Sequence, residues 1–218
     1  MVMLQATTLS PKAAATRQRI LDTAAALFWK RSYHGVSVDE IAETSGVNKA
    51  TIYRYFPDKA ALALDVTREH GRRIVEGLFG SIFADTSEPD ARLYQFYHAT
   101  VCAHEAQLGE MHDILGCPVT GLVLELGYEL PNVRKEAAKV FAAVEDHFRE
   151  IALDVIDTQA AEGWSAHSLA RALMQLLHGA FVSARLAADA GPVRDAGNAS
   201  LALIGSPLRL EAPSGEHP

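Results

Sequence analysis

The sequence predicts an all-α fold with about nine helices. Apolar residues recur at helical spacing almost throughout the chain, as Ile20, Leu21, Ala24, Leu27 and Phe28 do near its start. Glycine or proline stands at the end of most such segments, where a helix is expected to stop. Long alternating runs rich in β-branched residues, which are typical of strands, are absent from the sequence. These three features favour helices packed on helices.

Composition places the chain among folded globular proteins. Its 218 residues are 49% apolar, enough to build one sizeable core or two small ones. No stretch approaches the roughly 18 uninterrupted apolar residues of a membrane span, and the first residues lack the apolar core of a signal peptide. Two cysteines, Cys102 and Cys117, provide no disulfide framework. We therefore expect a cytoplasmic protein with no membrane partner.

Charge is distributed unevenly along the chain. The net charge is -7, which by itself disfavours a nucleic-acid partner. Residues 1–60, however, carry eight Lys and Arg against five acids, a net charge of +3, whereas the remaining 158 residues carry 12 against 22. This asymmetry indicates a basic N-terminal module followed by an acidic body.

Cap residues predict the limits of the second and third helices. Ser37 and Glu40 fit a capping box, in which the Ser37 hydroxyl accepts from the Glu40 amide while the Glu40 carboxylate reaches back to the Ser37 amide. Gly46 is the residue best able to adopt the left-handed conformation that ends the second helix. Asn48 can cap a short third helix, which Pro57 terminates.

Longer helices are expected in the rest of the chain. Asp58 can cap a fourth helix that runs toward Gly80. Pro118 is well placed at the first position of a helix that starts with "PVTGLVLEL". The apolar periodicity predicts further helices over residues 91–108, 131–162, 166–188 and 193–204. The tail over residues 206–218 is rich in Pro, Gly and Ser, and we expect it to be disordered.

Residues 38–57 have the pattern of a helix-turn-helix. Such a motif needs a small residue where the helices cross, a glycine in the turn and apolar residues that join the second helix to the first. These needs are met by Ala42, by Gly46 and by the set Ile41, Val47 and Ile52. The outside of the second helix then carries side chains that can meet phosphates or base edges, namely Lys49, Ala50, Thr51, Tyr53, Arg54 and Tyr55. An ordinary helical hairpin carries a similar pattern, so this window alone leaves both interpretations open.

The residues around this window favour DNA binding. Residues 16–66 closely resemble the N-terminal DNA-binding domain of TetR-family (tetracycline-repressor-like) transcriptional regulators. The matching elements are "RILDTAAALF", "VSVDEIAETSGV" and "TIYRYFPDKAAL". The resemblance implies a helix-turn-helix DNA-binding domain over residues 12–57 and an effector-binding and dimerisation domain over residues 58–205.

The resemblance also implies which residues meet DNA. The expected contacts are Ser37, Lys49, Ala50, Thr51, Tyr53, Arg54, Tyr55 and Lys59. Ser37 and Lys59 match phosphate-contacting positions of the family. Arg54 stands at a variable position and is the best candidate for base readout beside Lys49.

The chain departs from the family pattern at two positions. Ser32 stands where glycine is usual before the aromatic Tyr33, and Tyr55 stands where histidine is common. The first departure is expected to tighten the turn after the first helix. The second still offers a hydroxyl group to a phosphate.

A short recognition helix reaches only a few base pairs, so specific binding requires two copies. We therefore expect a homodimer on a palindromic operator in double-stranded DNA. The helices over residues 166–188 and 193–204 are apolar over more surface than one core needs, and the corresponding family helices form the dimer interface. Burial inside the monomer is the alternative for these helices.

The resemblance further implies a ligand-responsive repressor with a pocket for a small effector. The candidate lining residues are Tyr94, Tyr97, His98, Val101, Met111, Leu115, Tyr128, Phe141, Val144 and Phe148. Their mixture suits an apolar or aromatic molecule that carries a few polar groups. Ordinary core packing is the alternative role of each residue.

Cys117 suggests a second way of sensing. It precedes Pro118 at an expected helix N-terminus, where exposed amides and the helix dipole favour the thiolate. Its placement is similar to that of the cysteine in the family branch that includes the N-ethylmaleimide reductase repressor, which responds to electrophiles and oxidants. The hypotheses for Cys117 are thus a redox sensor and a small structural residue.

Other functional classes are less favoured. The sequence has no P-loop, dinucleotide fingerprint, nucleophile elbow or zincin motif, so we predict neither an enzyme nor a cofactor. His98, His104 and His112 lie near the two cysteines, but the paired spacing of a zinc site is missing and no metal is predicted. A helical enzyme and a helical binding protein without DNA function are the alternatives.

Overall fold

A computed structural model describes residues 10–157 and 163–212, and all regular structure in these ranges is helical. The helices are α1 (Pro11–Arg31), α2 (Val38–Ser45), α3 (Lys49–Tyr55), α4 (Lys59–Arg72), α5 (Gly80–Asp85), α6 (Pro89–Met111), α7 (Pro118–Leu126), α8 (Pro131–Asp157), α9 (Ala166–Ala187) and α10 (Gly191–Leu203). The all-α prediction is confirmed. Within the described ranges, none of these helices combines the length and hydropathy that crossing a bilayer requires.

The ends of α2 are fixed by local hydrogen bonds. The Ser37 hydroxyl accepts from the Glu40 amide at 3.1 Å, as the sequence predicts, and the Glu40 carboxylate pairs with Arg31 of α1. Gly46 ends the helix with a φ of 66°, and the Val47 amide behind it donates 3.0 Å to the carbonyl of Ala42. This closure is the Schellman motif, and it requires a residue that tolerates the left-handed conformation.

Helices α3 and α4 begin at the predicted caps. Asn48 Oδ1 accepts from the Thr51 amide at 2.8 Å, and Asp58 Oδ1 accepts from the Ala61 amide at 2.7 Å. Between them Phe56 is extended, as expected for the residue before a proline, so α3 stops after two turns. The helix-turn-helix limits therefore follow from the local sequence.

The fourth helix is longer than the sequence predicts. A π-helical turn, Arg73–Phe79, joins α4 to α5, and Gly80 keeps right-handed helical angles of -57° and -41°. The helix therefore passes through Gly80 and ends only at Asp85, where Thr86 becomes extended. A glycine at this position is compatible with a helix interior, although it lowers helix propensity.

The chain divides into two compact units, and each is described by itself. Of the described residues, the first comprises 10–69 and 121–136. Its core combines residues of α1 to α4 with Leu122 and Leu126 of α7 and Val133 of α8. The sequence assigned residues 121–136 to the effector domain, whereas here they pack with the helix-turn-helix. The predicted limits of 12–57 and 58–205 stay predictions.

The second unit comprises the described residues 70–120, 137–157 and 163–212, with a core supplied by the π-helical turn and by α5, α6, α8, α9 and α10. Helices α6 and α10 approach closely at Gly197, where a Cβ atom would lie 2.9 Å from the Cβ of Tyr97 and would collide with Leu210. Tyr97 is fully buried, and the Ser200 hydroxyl donates to its hydroxyl at 2.9 Å. Burial raises the pKa of Tyr97 to about 12.

The start of the C-terminal tail is ordered, contrary to the sequence prediction. The Leu210 amide donates to Asn198 Oδ1 at 2.8 Å, and the Asn198 side-chain amide donates to the Leu210 carbonyl at 3.2 Å. The Leu210 side chain is buried in the core of the second unit. Burial of Leu210 and its two hydrogen bonds with Asn198 thus hold a segment that composition alone predicts to be disordered. The predicted disorder over residues 213–218 lies outside the described residues.

Candidate nucleic-acid interface

The outward face of α3 carries most of the predicted DNA contacts. Ile52 is buried and joins α3 to the core of the first unit. The exposed residues of the helix are Lys49, Ala50, Tyr53 and Arg54, and Thr51 and Tyr55 are half-buried. A short helix anchored by one isoleucine thus presents two cations, a phenol and a small apolar side chain to solvent.

Lys49 has a carboxylate partner across the turn of the motif. Its Nζ lies 2.8 Å from Oδ2 of Asp39 on α2, and both side chains are exposed. This hydrogen bond raises the pKa of Lys49 above its ordinary value, so the ammonium stays charged near neutral pH. Sequence reasoning did not predict this partner. Asp39 lies ten residues before Lys49 on the other helix of the motif, and that spacing could have indicated the pair.

Arg54 and Thr51 of α3 also have near neighbours that hold their side chains. The Arg54 guanidinium lies 4.9 Å from the centroid of the Tyr55 ring and donates to the Tyr55 hydroxyl at 3.2 Å. The Thr51 hydroxyl donates to Asn48 Oδ1 at 2.8 Å, so it takes part in the cap of α3. The candidate base readers therefore have preferred positions before any DNA is bound.

Ser37 and Lys59, the predicted phosphate contacts, differ in their surroundings. Ser37 is exposed at the start of α2, and its hydroxyl proton can still be donated to a phosphate. Lys59 is half-buried instead. Its Nζ donates to the Tyr33 carbonyl at 2.6 Å and lies 4.0 Å from the centroid of the Tyr33 ring, and burial lowers the pKa of Lys59. A phosphate contact by Lys59 requires its side chain to leave Tyr33, and it stays a prediction.

A carboxylate that sequence reasoning missed holds the turn between α1 and α2. Glu125 of α7 accepts from the amides of Tyr33 and His34 through its two oxygens, both at 2.9 Å. Glu129 lies 3.1 Å from Nε2 of His34. No local pattern signals these contacts, because about ninety residues separate the partners.

The predicted effector-pocket residues do not form one group. Five are buried in the second unit: Tyr97, Val101, Leu115, Val144 and Phe148. Tyr94, Met111 and Phe141 are half-buried, and His98 is exposed beside Tyr94. Tyr128 is a wrong prediction for a lining residue, because its side chain is 100% exposed and it belongs to the first unit. Tyr128 has the sequence spacing of a helical residue, but it lies in the turn after α7, and this is why the prediction failed.

The second unit contains a cleft in which Phe141 is the one predicted pocket residue, and it also contains a ring pair formed by Phe141 and His178. The cleft, of ≈ 210 Å³, is lined by Phe141, Glu145, Arg171, Met174, Gln175 and His178. The Phe141 and His178 rings meet edge to face at 4.9 Å, and burial lowers the pKa of His178. Within this unit His104 also stacks on Phe181, with a centroid distance of 5.3 Å.

Cys117 lies directly before α7, as predicted, and is a half-buried free thiol. Gly116 before it has a φ of 70°, and a Cβ at that position would lie 3.3 Å from the carbonyl oxygen of Phe181. The close approach explains the glycine. The sensor role of Cys117 stays a prediction.

A helix-turn-helix with an exposed basic second helix defines the chain as a DNA-binding regulator. Residues 20–66 match the family model described as bacterial regulatory proteins, tetR family, and residues 96–199 match that of the LmrA/YxaF-like transcriptional regulator C-terminal domain. YxaF of Bacillus subtilis, an uncharacterized HTH-type transcriptional regulator, is 31% identical over 61% of this chain and 68% of its own length. The chain belongs to the TetR family of transcriptional regulators.

Solved structures share the fold over nearly the whole chain. A TetR regulator from Chloroflexus aurantiacus is 24% identical, covers 93% of this chain and 100% of its own, and has a TM-score of 0.76. The reduced form of E. coli NemR is 20% identical, covers 88% and 98%, and has a TM-score of 0.72. At these identities the likeness shows the fold alone.

The Asp39–Lys49 pair predicts a measurable effect on DNA binding. Asp39→Asn removes a negative charge beside the proposed DNA surface and frees Lys49 for a phosphate. We expect binding to a random-sequence duplex to strengthen several-fold and the slope of log K against log salt to steepen by about 1. Fluorescence anisotropy across a salt series measures both quantities.

Glu43→Gln is the matched control, because it changes the net charge equally on the same helix. We expect it to change the slope less than Asp39→Asn does. Equal effects of the two variants would mean that overall charge, and not the pairing of Lys49, controls the binding.

Proposed function

We propose that the chain is a homodimeric repressor that binds a palindromic operator and is released by a small, largely apolar or aromatic effector. The outward face of α3 carries this proposal, because Lys49, Tyr53 and Arg54 stand exposed on a helix fixed by its caps. Membership of the TetR family supports the same function. A cytoplasmic location follows from the proposed DNA target, and we assign the chain no catalytic reaction.

An exposed face of α9 supports the homodimer. One face of α9 is buried in the core of the second unit. A second face is exposed and carries Gly179, Val182, Ser183 and Leu186 at spacings of three and four residues. Leu186 is 83% exposed, an unusual state for a large apolar side chain on a helix with such small neighbours. Small side chains let a second helix approach closely, which suits a helical dimer interface.

Aromatic surface in the second unit supports an aromatic effector. His104 Nδ1 lies 2.8 Å from the Thr100 carbonyl and donates to it, which leaves Nε2 as the acceptor. Among the described residues this buried Nε2 atom has no hydrogen-bond partner. A donor group of a ligand would satisfy this atom once the side chains around the stacked His104 and Phe181 rings move apart to admit it.

The two ways of release can be separated in one experiment. Planar aromatic alcohols and the electrophile N-ethylmaleimide are each added to operator complexes of the wild type and of Cys117→Ser. We expect the alcohols to release both proteins, as measured by anisotropy. If N-ethylmaleimide releases the wild type and spares Cys117→Ser while the alcohols release neither, the redox-sensing repressor replaces the aromatic effector.

Operator binding itself tests the DNA-contact residues. The wild type is expected to select a palindromic duplex from a random pool and to prefer it to random DNA at about 0.15 M salt. Lys49→Ala should weaken this binding by about 1–3 kcal/mol, and Tyr53→Phe by about 1 kcal/mol through loss of one phosphate hydrogen bond.

Lys135→Ala supplies the control for these variants, because it removes an exposed cation of α8 in the same unit. It should leave the binding nearly unchanged. A wild type that shows no preference for any selected duplex contradicts the proposed function.

Leu186→Glu tests the dimer. A charge on the exposed α9 face should convert the dimer to a monomer in sedimentation velocity and weaken operator binding by at least about tenfold. Leu124→Glu is the control, since Leu124 is 79% exposed on α7. Dimers of equal stability in both variants would place the interface elsewhere.

A further inference from the structure

The turn after α1 contains a strained residue. Ser32 has a φ of 68° and a ψ of 161°, a backbone region that is almost confined to glycine because a Cβ atom crowds the peptide there. The hydroxyl of Ser32 accepts from the Gly35 amide at 3.3 Å, which is a weak local bond. A strained conformation of this kind persists only where surrounding contacts impose it.

The contacts that impose it converge on the next residue, Tyr33. Its amide donates to Glu125, and its carbonyl accepts from the ammonium of Lys59. The Tyr33 ring is buried and lies 5.3 Å from the ring of Phe28. Glu125 makes two bonds to this turn, because its two carboxylate oxygens accept from the amides of both Tyr33 and His34.

The same turn leads directly into the proposed DNA surface. Four residues after Tyr33, Ser37 begins α2, and Arg31 before the turn pairs with Glu40 inside α2. The Tyr33 carbonyl also holds Lys59, a proposed phosphate contact. A shift of the Tyr33 peptide would therefore move both the start of α2 and the partner of Lys59.

Glu125 lies on a helix that belongs to both units. Residues 118–120 of α7 fall in the second unit, and residues 121–126 fall in the first. Glu125, whose carboxylate holds the turn, therefore lies in the same short helix as three residues of the unit proposed to bind the effector.

We propose that Glu125 is a positioning residue for DNA binding, whose carboxylate holds the strained turn at Ser32 in the conformation that places α2 for the operator. This inference rests on the proposed function. Displacement of α7 withdraws the carboxylate, the turn relaxes, and the α2 start leaves its DNA-binding position. The strain at Ser32 makes the held state dependent on Glu125.

Glu125→Gln tests the inference, because glutamine keeps the size of the side chain and offers a single acceptor oxygen to two amides. We expect binding to the duplex selected by the wild type to weaken about tenfold, the loss of one charge-assisted hydrogen bond. Hydrogen exchange of the Tyr33 and His34 amides should accelerate in the same variant. Binding is measured well below the midpoint of thermal unfolding, so that every variant is folded.

Glu129→Gln is the matched control, since Glu129 pairs with the exposed side chain of His34 and not with the turn backbone. It should keep the affinity within about twofold of the wild type, because an exposed side-chain contact contributes little. Glu125→Gln with wild-type affinity, whatever its thermal stability, overturns the inference. If the wild type itself selects no duplex, the proposed function fails instead.

A second variant tests the role of strain. Glycine adopts the Ser32 conformation without cost, so Ser32→Gly should restore most of the affinity lost in Glu125→Gln. Ser32→Ala keeps the Cβ atom and should restore none. A double variant with glycine that binds as weakly as Glu125→Gln shows that the carboxylate does not act through the strained turn, and it overturns the proposal.

Discussion

Two helices of eight and seven residues form the helix-turn-helix of this protein, and neither is long enough to be stable by itself in water. Their shape depends on the left-handed turn at Gly46, which closes α2 and starts the path to the Asn48 cap. Ile52 then fixes α3 against the core. Because these constraints are local, the recognition helix has one orientation relative to α2.

Three cations on or near α3 each have a protein neighbour that restricts the conformations of the side chain. Lys49 meets Asp39, Arg54 lies against Tyr55, and Lys59 is bound to Tyr33. Such partners reduce the side-chain entropy that binding would otherwise cost. Each of these three cations can therefore be tested by altering its protein partner.

The sequence predicted the helix-turn-helix well because its signals are local, as with the Ser37 and Asn48 caps and Gly46. The predictions for the second unit were weaker, since a residue at helical spacing, such as Tyr128 or Phe148, reads the same whether it is exposed, buried or in a pocket. Glu125 was not predictable, because its partners are distant in the chain. The order of residues 206–212 depends on Asn198, which no composition rule considers.

The packing of Leu210 near Gly197 and Tyr97 has a consequence for altering this end of the described chain. Burial raises the pKa of the Tyr97 phenol to about 12, and the segment around Leu210 lies against the same glycine as Tyr97. Removal of the segment admits water to the phenol, which would then ionise at a lower pH and absorb in the near ultraviolet. A label or a truncation near Leu210 is therefore expected to disturb the environment of Tyr97 as well.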